Sequence, residues 1–533
     1  MIRACVVVPA HNEQELIGAC LRALAAQDTD APYAVILVLD RCTDATEACA
    51  REAFPDLIAL RTDGGVGAAR RAGMDHALTL LDADGLIATT DADSEPAPDW
   101  LRRQLDAVDR GAQAIGGRVE LGDGHALAPA VIARRERDAR HRFERLDGPG
   151  AREHHQFSGA SIGVTAATYA RVGLEPREAL EDEGFERALR RAGVPIERLG
   201  AVRVTTSGRT RGRAPRGLAL DLERSDWLAR RSYAASEFPL ERLLEAKDRT
   251  ISVILPARET AHTLAGILDA LATLDPLIDE VLVVDAASAD GTAEVARARG
   301  VAVADESELL PAFGPGLGKG DAMWRGLAST TGELVAFLDT DTENFEPSFV
   351  LGLLGPLLMH DASFVKGAFR RPLRIGEQTL ADGGGRVTEL VARPYLNLHF
   401  PRLAGFRQPL AGELAGERPL LERLSFPVGY GVEIAMLIDV LELAGLDRMA
   451  QVDLGTRQNR HQPLSDLSAM ALAVIAAAER RIHGEQSIAA AAPGPLWVPR
   501  GSDFETRNVI TDERPALALQ AAAAPTAGIR ASA

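Results

Sequence analysis

The sequence predicts an α/β protein made of two doubly wound domains in tandem. Three observations carry this. Short continuous apolar runs stop at a proline or an aspartate, as buried strands do. Ala/Leu-rich stretches with helical spacing separate them. The whole layout then returns: Pro9 answers to Pro256, Asp40 to Asp285 and Asp91 to Asp339, at offsets of 247, 245 and 248. A period this long means duplicated domains, not a solenoid.

Each half justifies its elements in the same order. Val6-Val7-Val8-Pro9-Ala10 opens the first half and Val253-Ile254-Leu255-Pro256-Ala257 the second, both as strands. Glu13–Gln27 and Thr263–Leu274 follow as helices. Val35–Leu39 ends in Asp40, and Val281–Val284 ends in Asp285. Later, Ala88-Thr89-Thr90 runs into Asp91-Ala92-Asp93, and Ala336-Phe337-Leu338 into Asp339-Thr340-Asp341. The domains are placed at residues 1–225 and 251–483, with a linker at 226–250. The Ala/Pro-rich tail at 484–533 is expected to be partly disordered, with Trp497–Arg514 apolar enough to dock.

Composition narrows the function classes. A chain of 533 residues suits two or three domains. Asp and Glu number 76 against 59 Lys and Arg, a net charge of −17, which argues against a nucleic-acid partner but not against a small anionic ligand held by local cations. The four cysteines, Cys5, Cys20, Cys42 and Cys49, form no CxxC or zinc spacing and read as free thiols in a reducing cytosol. The opening residues read as a strand and not a signal peptide, and no apolar run approaches the ~20 residues of a membrane span. A cytoplasmic location is therefore expected.

Ligands of such sheets sit outside the carboxyl ends of the strands, so each half should carry one site. Two carboxylates one residue apart at a strand end can share a hard divalent cation, which then neutralises a diphosphate. An isolated Asp-x-Asp is a weak sign, but here it follows a strand, occurs twice and has the other landmarks upstream. Asp40 and Asp285 are placed to accept from a nucleobase N–H or a ribose hydroxyl. Gly318-Lys319-Gly320 ends a Gly/Pro-rich loop at a helix start, where backbone and Lys319 can meet a diphosphate. The GxxxxGK[ST] spacing of a Walker loop is absent. Gly64–Ala69 with Arg70 or Arg71 stands at the same place in the first half. Gly383-Gly384-Gly385-Arg386-Val387-Thr388 reads as a short anion nest for a phosphate or carboxylate.

These motifs resemble a known family. Both halves are similar to the type-2 glycosyltransferases of GT-A fold, with their Pro-Ala-x-Asn-Glu opening and Asp-x-Asp. The second half, about Phe238 to His483, resembles the glucosyl-3-phosphoglycerate synthases. The stretches that carry it are Gly318–Arg325, Gly383–Pro394, Gly429-Tyr430-Gly431-Val432-Glu433-Ile434 and Gln451–Arg457. The resemblance implies two tandem GT-A domains, a nucleotide-diphosphate sugar such as UDP-glucose as donor, Mg²⁺ or Mn²⁺ as cofactor, and 3-phosphoglycerate as acceptor through its 2-hydroxyl. It implies donor contacts at Pro9, Ala10, Asn12, Glu13, Asp40 and Asp91 in the first half. In the second half these fall at Pro256, Ala257, Glu259, Asp285, Lys319, Asp339 and Thr340. Acceptor contacts are implied at Gly385, Arg386, Val387, Thr388, Tyr430 and Arg457, and metal ligation at Asp93, Asp341 and His461. A homodimer is compatible with it.

The second half departs from the family twice. Its opening reads Pro256-Ala257-Arg258-Glu259-Thr260, which shifts or removes the acidic contact on the base side. Asn459 stands where the family has a metal-binding His, and we assign the imidazole to His461, two residues on. The family implies retention at the anomeric carbon. No nucleophile stands at a convincing position, so front-face attack is expected, with Lys319 stabilising the leaving diphosphate and Glu433 holding sugar or acceptor. In the first half, Leu180-Glu181-Asp182-Glu183 resembles the Glu-Asp motif of inverting members, which makes Asp182 the general base, beside the small-residue loop Phe157–Ala160. Arg203–Arg216 is either a cover for the diphosphate or a solvated basic loop, and His154 and His155 read as surface residues. The rival readings are a first domain that only binds or assembles, and a sugar nucleotidyltransferase.

Overall fold

The structure, a computed structural model, describes residues 2–122, 127–177, 179–212, 216–375, 378–380, 383–458, 463–484 and 494–523. They form two compact units, Met1–Ala229 and Arg230–Ala533. The first unit has strands β1 Ala4–Ala10, β2 Tyr33–Asp40, β3 Ile58–Thr62, β4 Leu86–Thr89, β5 Ser94–Pro96, β6 Ala114–Leu121, β7 Ile162–Thr165 and β8 Ile196–Thr206. They make one sheet in the order β3-β2-β1-β4-β7-β6-β8-β5. Because side chains alternate along a strand, β1 sends Val6, Val8 and Ala10 into one core with Leu37 and Trp100, and Cys5 and Val7 into another with Met74, Tyr169 and Phe185. Burial on both faces is why the strand reads as an unbroken apolar run.

The second unit contains β9 Ser232–Ala234, β10 Ile251–Ala257, β11 Glu280–Asp285, β12 Ala302–Asp305, β13 Leu334–Phe337, β14 Phe364–Arg370, β15 Leu373–Ile375, β16 Gln378–Leu380, β17 Leu414–Glu417, β18 Phe426–Pro427, β19 Met449–Thr456, β20 Leu496–Arg500, β21 Asp503–Arg507 and β22 Glu513–Arg514. Its main sheet runs β12-β11-β10-β13-β17-β14-β19-β9, which repeats the first unit's order over seven of its eight strands. Both sheets are mixed and not wholly parallel, since β7 opposes β4 and β6, and β17 opposes β13 and β14. The duplication differs at the edge. There β5 follows β4 in sequence and runs antiparallel to β8, whereas β9 precedes β10 and runs parallel to β19.

Residues 226–250, expected as a linker, are instead built into secondary structure. A helix spans Leu218–Arg230, β9 closes the second sheet, and a helix spans Leu240–Ala246. Phe238 and Leu243 are buried in the second unit's core, which explains the aromatic character of a stretch that looked like a connector. The predicted helices at Glu13–Gln27 and Thr263–Leu274 occupy Ile17–Ala25 and Ala261–Ala272.

The tail docks over much of its described length. β20 and β21 form a hairpin, β22 pairs with β18, and the buried Trp324 donates its indole N–H to Pro515 O at 2.8 Å. Arg514 reaches Asp321 at 2.7 Å, and Asp321 is fully buried with Arg325. The Ala-rich stretches 489–493 and 524–533 lie outside the described residues. All four cysteines are free, and no described helix is long and apolar enough to cross a membrane.

Candidate functional site

Lys319 is the first residue of the helix Lys319–Ser329, entered through Gly318 at φ 137°. Its Nζ lies 2.5 Å from Asp339 Oδ1 and 2.7 Å from Glu433 Oε1. Asp339 sits just past the end of β13, and Glu433 at the start of the helix Val432–Ala444. Arg457, just past β19, lies 2.9 Å from Asp339 Oδ2, 2.6 Å from Asp341 Oδ1 and 3.0 Å from Glu413. Burial opposes the charge on Asp339, yet Lys319 and Arg457 outweigh it and hold the carboxyl well below the usual range. Burial likewise opposes the charge on Lys319, which Asp339 and Glu433 hold in place. A Cβ at position 412 would collide with both Asp339 Oδ1 and Lys319 Nζ, so only Gly412 fits there.

Around this cluster lies a cavity of about 800 Å³. Pro256, Ala257, Lys319, Asp339, Thr340, Asp341, Gly385, Arg386, Val387, Thr388, Tyr430, Glu433 and Arg457 all line it. The structure thus gathers most of the sequence-predicted residues of this half in one place. Thr340 also donates its hydroxyl to Pro256 O at 2.9 Å, tying the Asp-x-Asp loop to the opening strand. Asp341 keeps half of its side chain exposed, a hard oxygen donor of the kind Mg²⁺ or Mn²⁺ takes. His461 and its rival Asn459 lie outside the described residues. Among the described residues no group of three or more His, Cys, Asp or Glu side chains forms a ready metal cage.

Two expected donor residues of this half stand elsewhere. Asp285 accepts from Ser288 N at 3.1 Å and Ser288 Oγ at 2.6 Å, and Glu259 accepts from Ala289 N at 2.9 Å; neither lines the cavity. The cause is register. Ala10 pairs with Leu39 but Ala257 pairs with Asp285, so Asp285 takes the place of Leu39 and Ala286 that of Asp40. A slip of one residue turns a strand side chain to the opposite face. Sequence reasoning missed Glu306, the helix residues Met470 and Ala473, and the tail residues Asn508–Ile510, all of which line the cavity. Glu306 alone carried a usable signal, since it follows the short apolar run Val301–Ala304 and Asp305 at a strand end.

The first unit repeats the arrangement around a cavity of about 400 Å³ lined by Pro9, Ala10, Glu13, Asp40, Asp91, Asp93 and Asp182 among others. Arg70 takes the part of Lys319: fully buried, it lies 2.7 Å from Asp91 Oδ1 and 3.0 Å from Glu181 Oε1. Arg209 contacts Asp93 at 2.9 Å and Glu13 at 2.8 Å, which places part of the Arg-rich run over the acidic pair. Burial, helped by Asp91 and opposed by Arg209, pushes Asp93 up to about 6. Asp40 is buried and accepts from Gly65 N at 3.0 Å. Asn12 does not line the cavity; its side-chain oxygen accepts from Thr43 N at 2.7 Å, a turn-forming role. His154 and His155 are half-buried and line neither cavity, and burial lowers His155 to about 4.

Asp182 accepts from Gly159 N at 3.1 Å, and burial raises its pKa. Glu181 and Glu433 each clamp the central cation from a helix start, so the residue matching Asp182 in the second unit is Ile434. The two cavities share a carboxylate–cation–carboxylate cluster; Asp182 lines the first, whereas Ile434 is buried and does not line the second.

A twice-built mixed sheet with an Asp-x-Asp pair in the lining of each cavity defines the class. The family model for glycosyl transferase family 2 matches residues 5–158 and 252–379, and the chain belongs to that family: it is a glycosyltransferase. More particularly, it is 45% identical over 256 residues to a protein named glucosyl-3-phosphoglycerate synthase from Mycolicibacterium paratuberculosis, a match covering 47% of this chain and 78% of the relative. The solved mannosyl-3-phosphoglycerate synthase from Rubrobacter xylanophilus is 43% identical, with a TM-score of 0.50, over 55% of this chain and 99% of that one. A glucosyl-3-phosphoglycerate synthase from Mycobacterium tuberculosis, solved with Mn²⁺, UDP and glucosyl-3-phosphoglycerate, is 40% identical with a TM-score of 0.48, over 53% and 96%.

Proposed function

We propose that the second unit, with residues 251–483 as its catalytic core, transfers glucose from a nucleotide-diphosphate sugar to the 2-hydroxyl of 3-phosphoglycerate. The observation that carries this reading is that the Asp339–Lys319–Glu433 cluster and the anion nest Gly385–Thr388 line one cavity. We assign the synthase-like stretch to this unit on the motifs Gly383–Pro394 and Gly429–Ile434. Lys319 stands where charge grows on the departing diphosphate, and stabilising that charge accelerates the transfer. Gly385–Thr388 orients the acceptor's phosphate or carboxylate through backbone N–H groups, and Arg386 and Tyr430 complete that side. Glu433, held by Lys319, positions sugar or acceptor. Asp341, with His461 or Asn459, would hold Mg²⁺ or Mn²⁺, which supplies further neutralisation of the diphosphate when bound.

For the first unit we propose a second sugar-transfer site that works with inversion, with Asp182 as general base and Asp93 as metal ligand. Its raised pKa suits a group that must take a proton from a hydroxyl. Four free cysteines fit a reducing compartment, and we place the protein in the cytoplasm.

The test is direct. The protein is incubated with Mn²⁺ or Mg²⁺, UDP-glucose or GDP-glucose, and 3-phosphoglycerate, and nucleotide release and product are measured. Asp341→Ala is expected to abolish transfer to 3-phosphoglycerate while Asp93→Ala leaves it in place. Loss through Asp93→Ala alone would reverse the assignment of the two units.

A further inference from the structure

The second unit's cavity divides by chemistry. Lys319, Asp339, Asp341 and Arg457 form one ion-paired cluster in its lining, and Gly385–Thr388 with Tyr430 supply the part suited to an anionic acceptor. The remaining end, formed by Pro256, Ala257, Ala286, Glu306, Gly316 and Leu317, falls to the nucleobase and ribose of the donor. In the first unit this end keeps a carboxylate, Asp40. In the second, register leaves Ala286 there.

A carboxylate is nonetheless present one strand over. Glu306 directly follows β12, whose Asp305 pairs with Asp285, and its backbone N–H donates to Asp285 O at 2.9 Å. The residue is only 4% exposed; the backbone N–H groups of Leu317 and Gly318 favour the charge on its carboxylate, while Oε1 is withdrawn from water with no hydrogen-bond partner. A buried acceptor left without a donor is costly, and native structures retain one where something else satisfies it. Gly316 lies against this carboxylate so closely that a Cβ there would overlap it. Backbone of this glycine-rich loop therefore packs directly on the carboxylate, at the lining of the cavity.

We propose that Glu306 reads the donor's nucleobase, its unpartnered oxygen accepting the ring N–H of uracil (N3) or guanine (N1). Adenine and cytosine carry no hydrogen on the corresponding ring nitrogen and leave the oxygen unsatisfied. The selected class is thus a nucleoside diphosphate sugar whose base has a ring N–H. The inference rests on the proposed function of this unit for the placement of the diphosphate.

Calorimetric titration of UDP, GDP, ADP and CDP, each with Mn²⁺, into the full chain carrying Asp93→Ala to disable the first site provides the test. UDP or GDP is expected to bind about tenfold or more tightly than ADP and CDP, the discrimination one hydrogen bond to a carboxylate supplies. Glu306→Ala should remove most of that preference while ADP and CDP change little. Glu306→Gln, whose amide oxygen still accepts, should keep part of it. An equal loss for all four nucleotides would show that Glu306 only shapes the loop and would overturn the proposal, as would a parent protein without preference. Because the readout is binding, a preference erased by Glu306→Ala in a protein unable to glucosylate 3-phosphoglycerate would sink the proposed function and leave the role of Glu306 standing.

Discussion

Lys319, half-buried, and Arg70, fully buried, each sit between two carboxylates, and removing either takes away a cation those carboxylates share. Lys319→Ala should cut transfer to 3-phosphoglycerate by about a hundredfold or more, the scale of losing one donor aimed at developing charge. It should also destabilise the second unit, because Asp339 and Glu433 would lose their shared partner. Steady-state rates and denaturant melts measure the two effects separately. Lys366 behaves differently. It is fully buried, donates to Ala411 O at 2.6 Å, and burial lowers its pKa from 10.5 to about 8. Below pH 8 the folded and unfolded chains both carry the proton and the cost of burying it is present in full. Above pH 8 the unfolded chain binds more protons than the folded one, so stability rises with pH. Relative to Lys366→Met, the parent should gain on the order of 2 kcal/mol between pH 8 and 10 in denaturant unfolding.

Among the elements, the connector and the tail carry the sharpest expectations. Phe238, buried in the second unit against Gly355, belongs to a stretch that composition marks as a linker. Phe238→Ala should therefore cost about 3–5 kcal/mol, a core-sized loss; a surface-sized loss below about 0.5 kcal/mol would return the stretch to linker status. Arg514→Ala removes one of two arginines on the fully buried Asp321 and should lower the unfolding free energy by about 1–3 kcal/mol. These elements also mark the limit of what was legible in the sequence. Strand ends announced themselves, because an apolar run that stops at Pro256 or Asp339 states both burial and exit. Register did not: nothing in Val281–Asp285 says that the pairing shifts by one residue, so Asp40 and Asp285 looked alike though their side chains face differently. The contribution of Met470 and Asn508–Ile510 to the cavity arises from packing between segments far apart in sequence, which no local pattern encodes.

On the scale of the molecule, the same order recurs over seven strands of each sheet, and Asp182 lines the first cavity whereas the second has no carboxylate after Glu433, Ile434 following it in the chain. The first unit should thus invert the anomeric centre and the second retain it, a difference proton NMR of the two products resolves. Transfer by one unit should survive disabling the other, since each cavity is assembled from its own sheet. Two such cavities on one polypeptide have a consequence outside chemistry. Translated from a single message, they are locked at one copy each per molecule, so a cell cannot change the ratio of one to the other by how much of either it synthesises.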